Sequence, residues 1–203
     1  MKKVLKRIVL CAAVAGIFWL WGVIAQREQL NENLIRLHVV ANSDSEEDQT
    51  IKLRVRDAVV ESLSDAMADI GDMDQARAYI EENLPKIQQT ANEALKALGC
   101  DENAVASLQK EVFDTRYYDT FTLPAGVYEA LRITIGEGEG KNWWCVAFPS
   151  LCIPATSEGF EDVAAGAGFP DSLTAALEGE DGYEIRFFLL DLLGKWQARG
   201  AGE

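Results

Sequence analysis

His38 is the only histidine in the chain, so any Ser–His–acid or Cys–His arrangement must run through it. Cys145 is its candidate nucleophilic partner, and that pair would make the protein a secreted hydrolase or cell-wall enzyme. No nucleophile elbow or oxyanion motif surrounds either residue. A strand histidine satisfied by neighbouring polar groups is the better-supported reading, and no catalytic residue is assigned. One histidine also excludes a histidine-rich metal site. Residues 136–142, GEGEGKN, carry the glycines of a phosphate cradle without their spacing. Ile135 stands where a Walker loop needs its first glycine, and Asn142 where it needs Ser or Thr. Glu137 and Glu139 would oppose a phosphate, and the segment after the loop reads as a strand where a dinucleotide fingerprint needs a helix. A hairpin connection that requires positive φ angles accounts for the glycines. Asp44, Glu46, Glu47 and Asp48 lack the glycine and spacing of an EF-hand loop. Carboxylates are too abundant for a pair of them to mark a glycosidase site. Neither a metal nor a cofactor is expected.

Two further pairs carry structural or contact chemistry. Cys145 and Cys152 flank a stretch containing Pro149, which allows a strand, a bend and a return, and hence a disulfide. Two buried free thiols packing as small hydrophobes is the alternative. Trp143 and Trp144 are adjacent in a candidate strand and so point to opposite faces. The outer one is either covered by a helix or loop or stands exposed as an anchor for a partner.

The elements that must position these residues follow from periodicity. Residues 34–41 are β-branched and alternate Leu and Ile with Arg36 and His38, a strand with one face more buried than the other. Ser43 with Glu46 fits a capping box. Ile51, Val55, Val59, Leu63, Met67 and Ile70 then mark one face of a helix that Gly71 ends. A second helical region opens at Asp74 and stops at Gly99, and Pro85 inside it predicts a kink or two abutting helices. From Ala104 the period changes to two, with strands expected over residues 104–113, 117–123, 128–135 and 143–148. The order predicts a single α+β domain, its helices packed on one face of a largely antiparallel sheet. The core is expected over residues 34–152. Residues 153–182 read as an acidic, glycine-rich loop, 183–198 as a C-terminal helix docking on the core, and 199–203 as a tail.

Ahead of that domain, Lys2, Lys3, Lys6 and Arg7 precede an uncharged apolar run over residues 8–25. The pattern fits a signal peptide or a membrane anchor, with residues 26–33 as a linker. Either way the basic end stays in the cytoplasm and the rest is exported, with membrane contact through residues 8–25 if the segment is uncleaved. The chain carries a net charge of −14, from 33 acidic against 19 basic residues, and four of the basic ones lie before the apolar run. Nucleic acid is therefore excluded as a partner, because a phosphate backbone is bound by Lys and Arg.

Two segments carry a family likeness: residues 37–49 (LHVVANSDSEEDQ), continuing through 52–57 (KLRVRD), and residues 126–152 (GVYEALRITIGEGEGKNWWCVAFPSLC). Together they closely resemble the stage II sporulation protein R family of endospore-forming bacteria. That resemblance implies a signalling protein exported from the forespore into the space between the two sporulation membranes. There it would trigger a membrane-embedded aspartic protease of the mother cell to process the sigma-E precursor, without being an enzyme itself. It brings no catalytic residues. The polar and aromatic members of the matching motifs, His38, Asn42, Asp44, Arg56, Asn142 and Trp143, are the expected partner contacts.

Overall fold

Ser45 starts the first helix of the domain: its hydroxyl accepts the Asp48 N–H at 3.1 Å, and three acids, Glu46, Glu47 and Asp48, occupy the positive end of the helix dipole. The computed structural model describes residues 2–68, 70–117 and 122–148. In it the cap lies two residues later than the Ser43 expected from sequence, because the Ser43 hydroxyl is committed to the Asp48 carboxylate at 2.5 Å. The elements run α1 (Lys2–Glu32), β1 (Ile35–Val40), α2 (Glu46–Ala68), α3 (Met73–Ala97), β2 (Ala104–Phe113), β3 (Arg116–Tyr117), β4 (Thr122–Leu123), β5 (Gly126–Ile135) and β6 (Asn142–Phe148).

Helix α1 continues through residues 26–32, where polar composition predicts a linker. Among the described residues no helix is long and apolar enough to cross a membrane. The anchor reading of residues 8–25 therefore rests on the sequence.

Helix α3 begins at its N-cap Asp72, whose carboxylate accepts the Gln75 N–H at 2.9 Å. It ends where Gly99, at φ 71°, lets the Cys100 N–H reach back to the Leu95 carbonyl at 3.0 Å. It passes through Pro85 as one helix, so of the two expected alternatives the pair of abutting helices does not form. Pro85 is exposed, opposite the buried stripe of Ala76, Ile80, Ile87, Ala91 and Leu95. The carbonyl it leaves without a donor can therefore be hydrated where a long helix already curves toward water.

The helices cover one face of a four-stranded sheet of order β2-β5-β1-β6. Ile35, Leu37 and Val39 of β1 join Leu131, Ile133 and Ile135 of β5 and the inner faces of α2 and α3 in one core. The sheet is mixed: β1 and β5 are parallel at its centre, and both outer pairings are antiparallel. Hydrophobic alternation fixes which face a residue takes but not the direction of its neighbour, and only the connection through α2, α3 and β2 makes the central pair parallel. All six residues of β1 are buried, so the strand is covered on both faces and not chiefly on one. The single strand expected over residues 117–123 is instead two short strands paired antiparallel, Arg116 with Leu123 and Tyr117 with Thr122. The expected acidic loop, C-terminal helix and tail lie outside the described residues.

Candidate functional site

The register of β1 with its neighbours decides what surrounds His38. It pairs with Trp144 of β6 on one side and Arg132 of β5 on the other, and Arg132 pairs in turn with Ser107 of β2. The face of the sheet away from the helices thus carries His38, Arg132, Glu111 and Trp144 together. His38 Nδ1 lies 2.6 Å from Glu111 Oε2, its Nε2 lies 2.9 Å from Asn142 Oδ1, and its ring stacks on Trp144 with centroids 5.8 Å apart. Burial pushes the Glu111 carboxyl up, but hydrogen bonds from His38, Gln109 and Arg132 outweigh it and hold its pKa at about 2, against an ordinary 4.5. An ionised carboxylate only accepts, so Nδ1 is the donor in the contact between His38 and Glu111. The remaining nitrogen is occupied by Asn142.

This geometry removes the hydrolase alternative. Cys145 pairs with Leu37 and packs against the helix-side core, so alternation puts it on the opposite face from His38. Cys145 is also disulfide-bonded, which leaves it no thiol to act as a nucleophile, while Cys11 and Cys100 are free. Cys152 lies outside the described residues.

A depressed carboxyl pKa stabilises the folded state above pH 4.5, and the contribution is lost as pH falls toward 2. The shift corresponds to roughly 3 kcal/mol, since the Glu111 side chain is only 12% exposed. Glu111→Gln should therefore be less stable than the unaltered protein at pH 7, and the gap should close between pH 4.5 and 2. Urea midpoints of the two proteins across that range check this.

The first motif and the glycine hairpin form one interlocked unit. Asn42 Oδ1 accepts the Glu137 N–H at 3.0 Å, and Asp44 Oδ1 accepts the Lys141 N–H at 2.7 Å. The main chain at Ala41 and Asn42 accepts Gly140 and Glu139 at 2.9 and 3.1 Å. Lys52, nearly buried, donates to the Lys141 carbonyl at 3.0 Å and to Gln49 at 2.6 Å. Burial lowers its pKa, partly offset by the Asp44 charge. The Ser43 hydroxyl is the main cause of a lowered Asp48 pKa. Gly136 and Gly138 take φ of 55° and 66°, and a Cβ on Gly140 would collide with the Ser43 carbonyl. The glycines therefore serve the hairpin and its close approach to the 42–44 turn, as the sequence predicts.

Of the expected contact residues, His38, Asn42, Asp44 and Asn142 thus have internal hydrogen-bond partners, although the Asn142 residue as a whole is exposed. Arg56 and Trp143 meet on the other face. The Arg56 guanidinium carbon stands 4.4 Å over the Trp143 ring, and the same guanidinium donates to Asp57 at 2.6 and 2.9 Å. Trp143 remains 38% exposed at the β6 edge. Trp144 turns to the opposite face, between His38 and Arg116, whose guanidinium carbon lies 3.6 Å from its ring. The alternation expected for the two tryptophans holds, and Trp143 is the outer one. Sequence reasoning did not single out Glu111, Arg132 or Arg116. Glu111 is 73 residues from His38, and nothing short of the strand order could connect them.

The stage II sporulation protein R family model matches residues 31–158, which include β1, the hairpin, the His38 cluster and the Arg56–Trp143 pair. The chain belongs to that family. A curated relative, stage II sporulation protein R of Bacillus subtilis (strain 168), is 36% identical over 179 residues, covering 79% of this chain and 80% of that protein. No solved structure matches. Membership in the family ties the chain to sporulation. It also sets the interlocked 42–44 turn and the Arg56–Trp143 surface within the part that family members share.

Proposed function

We propose that this protein is an exported sporulation signal that acts by stoichiometric contact, without chemistry of its own. Its target is a membrane-embedded aspartic protease of the mother cell, which on activation processes the sigma-E precursor. Family membership supports the sporulation role, and the basic start followed by the uncharged run over residues 8–25 supports export from the forespore to the intermembrane space. The observation that carries contact as the mode of action is the Arg56–Trp143 pair. A tryptophan and an arginine, the residue types most enriched at interface hot spots, are held against each other on an exposed strand edge. By contrast, the lone histidine is closed off by Glu111 and Asn142.

The test reconstitutes the protease and the sigma-E precursor in a non-sporulating bacterium and titrates the exported chain against them. A ligand gives processing that saturates near one exported chain per protease. Complete processing driven by trace amounts, accompanied by a covalent change in the protease, would instead identify an enzyme.

A further inference from the structure

The β2 edge of the sheet is finished differently along its two halves. Along the first part of β2 the outward main chain is taken by side chains of α3. The Ala104 N–H donates to Asn92 Oδ1 at 2.8 Å, Asn92 Nδ2 donates back to the Ala104 carbonyl at 3.0 Å, and the Ala106 N–H donates to Gln88 Oε1 at 3.1 Å. Pairing with β5 runs without a register shift from Ala104 to Phe113. The two-residue period therefore carries the same outward orientation on to Leu108, Lys110 and Val112. Among the described residues the main chain of these three has no hydrogen-bond partner on that side. Val112 is 52% exposed and Lys110 is exposed as well, so the second half of the edge is open to solvent. An open edge of this kind is a template for another strand.

Beside the open half lies a polar cavity of about 960 Å³, between the end of α1, the start of α3 and strands β2 and β5. Its lining includes Glu32, Asp72, Asp74 and Glu129 against Arg77 and Lys110. Arg77 is spent on Glu129, to which it donates from both Nε and Nη2. Asp72 also accepts from Gln75 at the start of α3, and the lining as a whole sets four carboxylates against two cations. The lining is short of positive charge, and Lys110 of the open edge is part of its wall.

We propose that residues 108–112 of β2 are a docking edge for an extended segment of another protein, which pairs with the open main chain and inserts a Lys or Arg side chain into the adjoining acidic cavity. A second copy of this chain is the poorer occupant. The chain carries a net charge of −14, and two-fold pairing centred on Lys110 would set that residue against itself. The edge lies on the side of the sheet opposite Trp143, so its failure would leave the contact reading at β6 untouched, and the reverse holds.

The experiment uses the full chain and three nine-residue peptides of alternating Thr and Val, acetylated and amidated: one with a central Lys, one with a central Glu, and the Lys peptide N-methylated at alternate amides. The Lys peptide should bind saturably and slow hydrogen exchange at the amides of Leu108, Lys110 and Val112 at least tenfold. The Glu peptide should bind at least tenfold more weakly, and the N-methylated peptide should not bind. Lys110→Pro removes one outward donor at an edge position that tolerates proline and should abolish binding, whereas Lys110→Ala keeps the donor and should bind the Lys peptide. If Lys110→Pro loses its thermal transition, the N-methylated peptide on the unaltered protein decides. Four results would each overturn the proposal: equal binding of Lys and Glu peptides, undiminished binding of the N-methylated one, no protection at the three amides, or protection that arises from self-association without peptide.

Discussion

Replacing His38 with alanine is expected to destabilise the fold by about 3–5 kcal/mol, read as a fall in the urea midpoint. The His38 side chain is 9% exposed and makes three kinds of contact at once: a hydrogen bond to the ionised Glu111, another to Asn142, and ring contacts with Trp144 and Phe113. Truncation leaves the Glu111 carboxylate with Arg132 and Gln109 as its remaining partners in a half-buried site and opens a void against two aromatic rings. His38→Gln, which can still donate toward Glu111, should lose about half as much. Signalling by either variant should follow the folded fraction and stay within a few-fold of normal where the protein is fully folded. A loss of several decades in a folded His38→Gln protein would mean that the imidazole does chemistry, and the non-enzymatic reading would fail.

The elements legible in the sequence are those whose periodicity reports a single buried face. The stripes on α2 and α3, the glycine hairpin with its positive φ angles and the divergence of Trp143 from Trp144 all follow from spacing and stereochemistry. Arg36 shows where that reasoning stops. Its type suggests a solvated face of β1, yet it is fully buried, with its guanidinium carbon 4.2 Å from the Phe113 ring and 5.3 Å from that of Tyr128. Strands β1 and β5 are covered on both sides, and burial of the second face depends on residues distant in sequence. The same limit hid the parallel central pair and the His38–Glu111 contact, both of which are consequences of strand order. At Asn42 and Asp44 the motif was visible but its purpose was not. Short polar side chains beside a predicted turn read equally well as surface contacts or as acceptors for a neighbouring main chain, and only the approach of the hairpin distinguishes the two.

That distinction concentrates the contact reading on Trp143. Trp143→Ala should raise the concentration of exported chain needed for half-maximal processing by roughly thirtyfold, equivalent to about 2 kcal/mol of lost binding, the scale of an interface hot spot. Stability should fall far less, by about 1 kcal/mol or below, because the ring sits on an exposed edge, in cation–π contact with Arg56. Arg56→Ala should weaken signalling in the same direction. The double variant should lose less than the two single losses combined, since each residue orients the other for the partner. Asn42→Ala is the control with the opposite signature. It severs a hydrogen bond to the hairpin and another to Asp48, so its urea midpoint should drop while half-maximal processing, corrected for folded protein, stays near normal. The measurement that decides between a contact and a packing role is the ratio of these two effects at Trp143. If its stability loss accounts for its signalling loss, the tryptophan is part of the scaffold and the partner binds elsewhere.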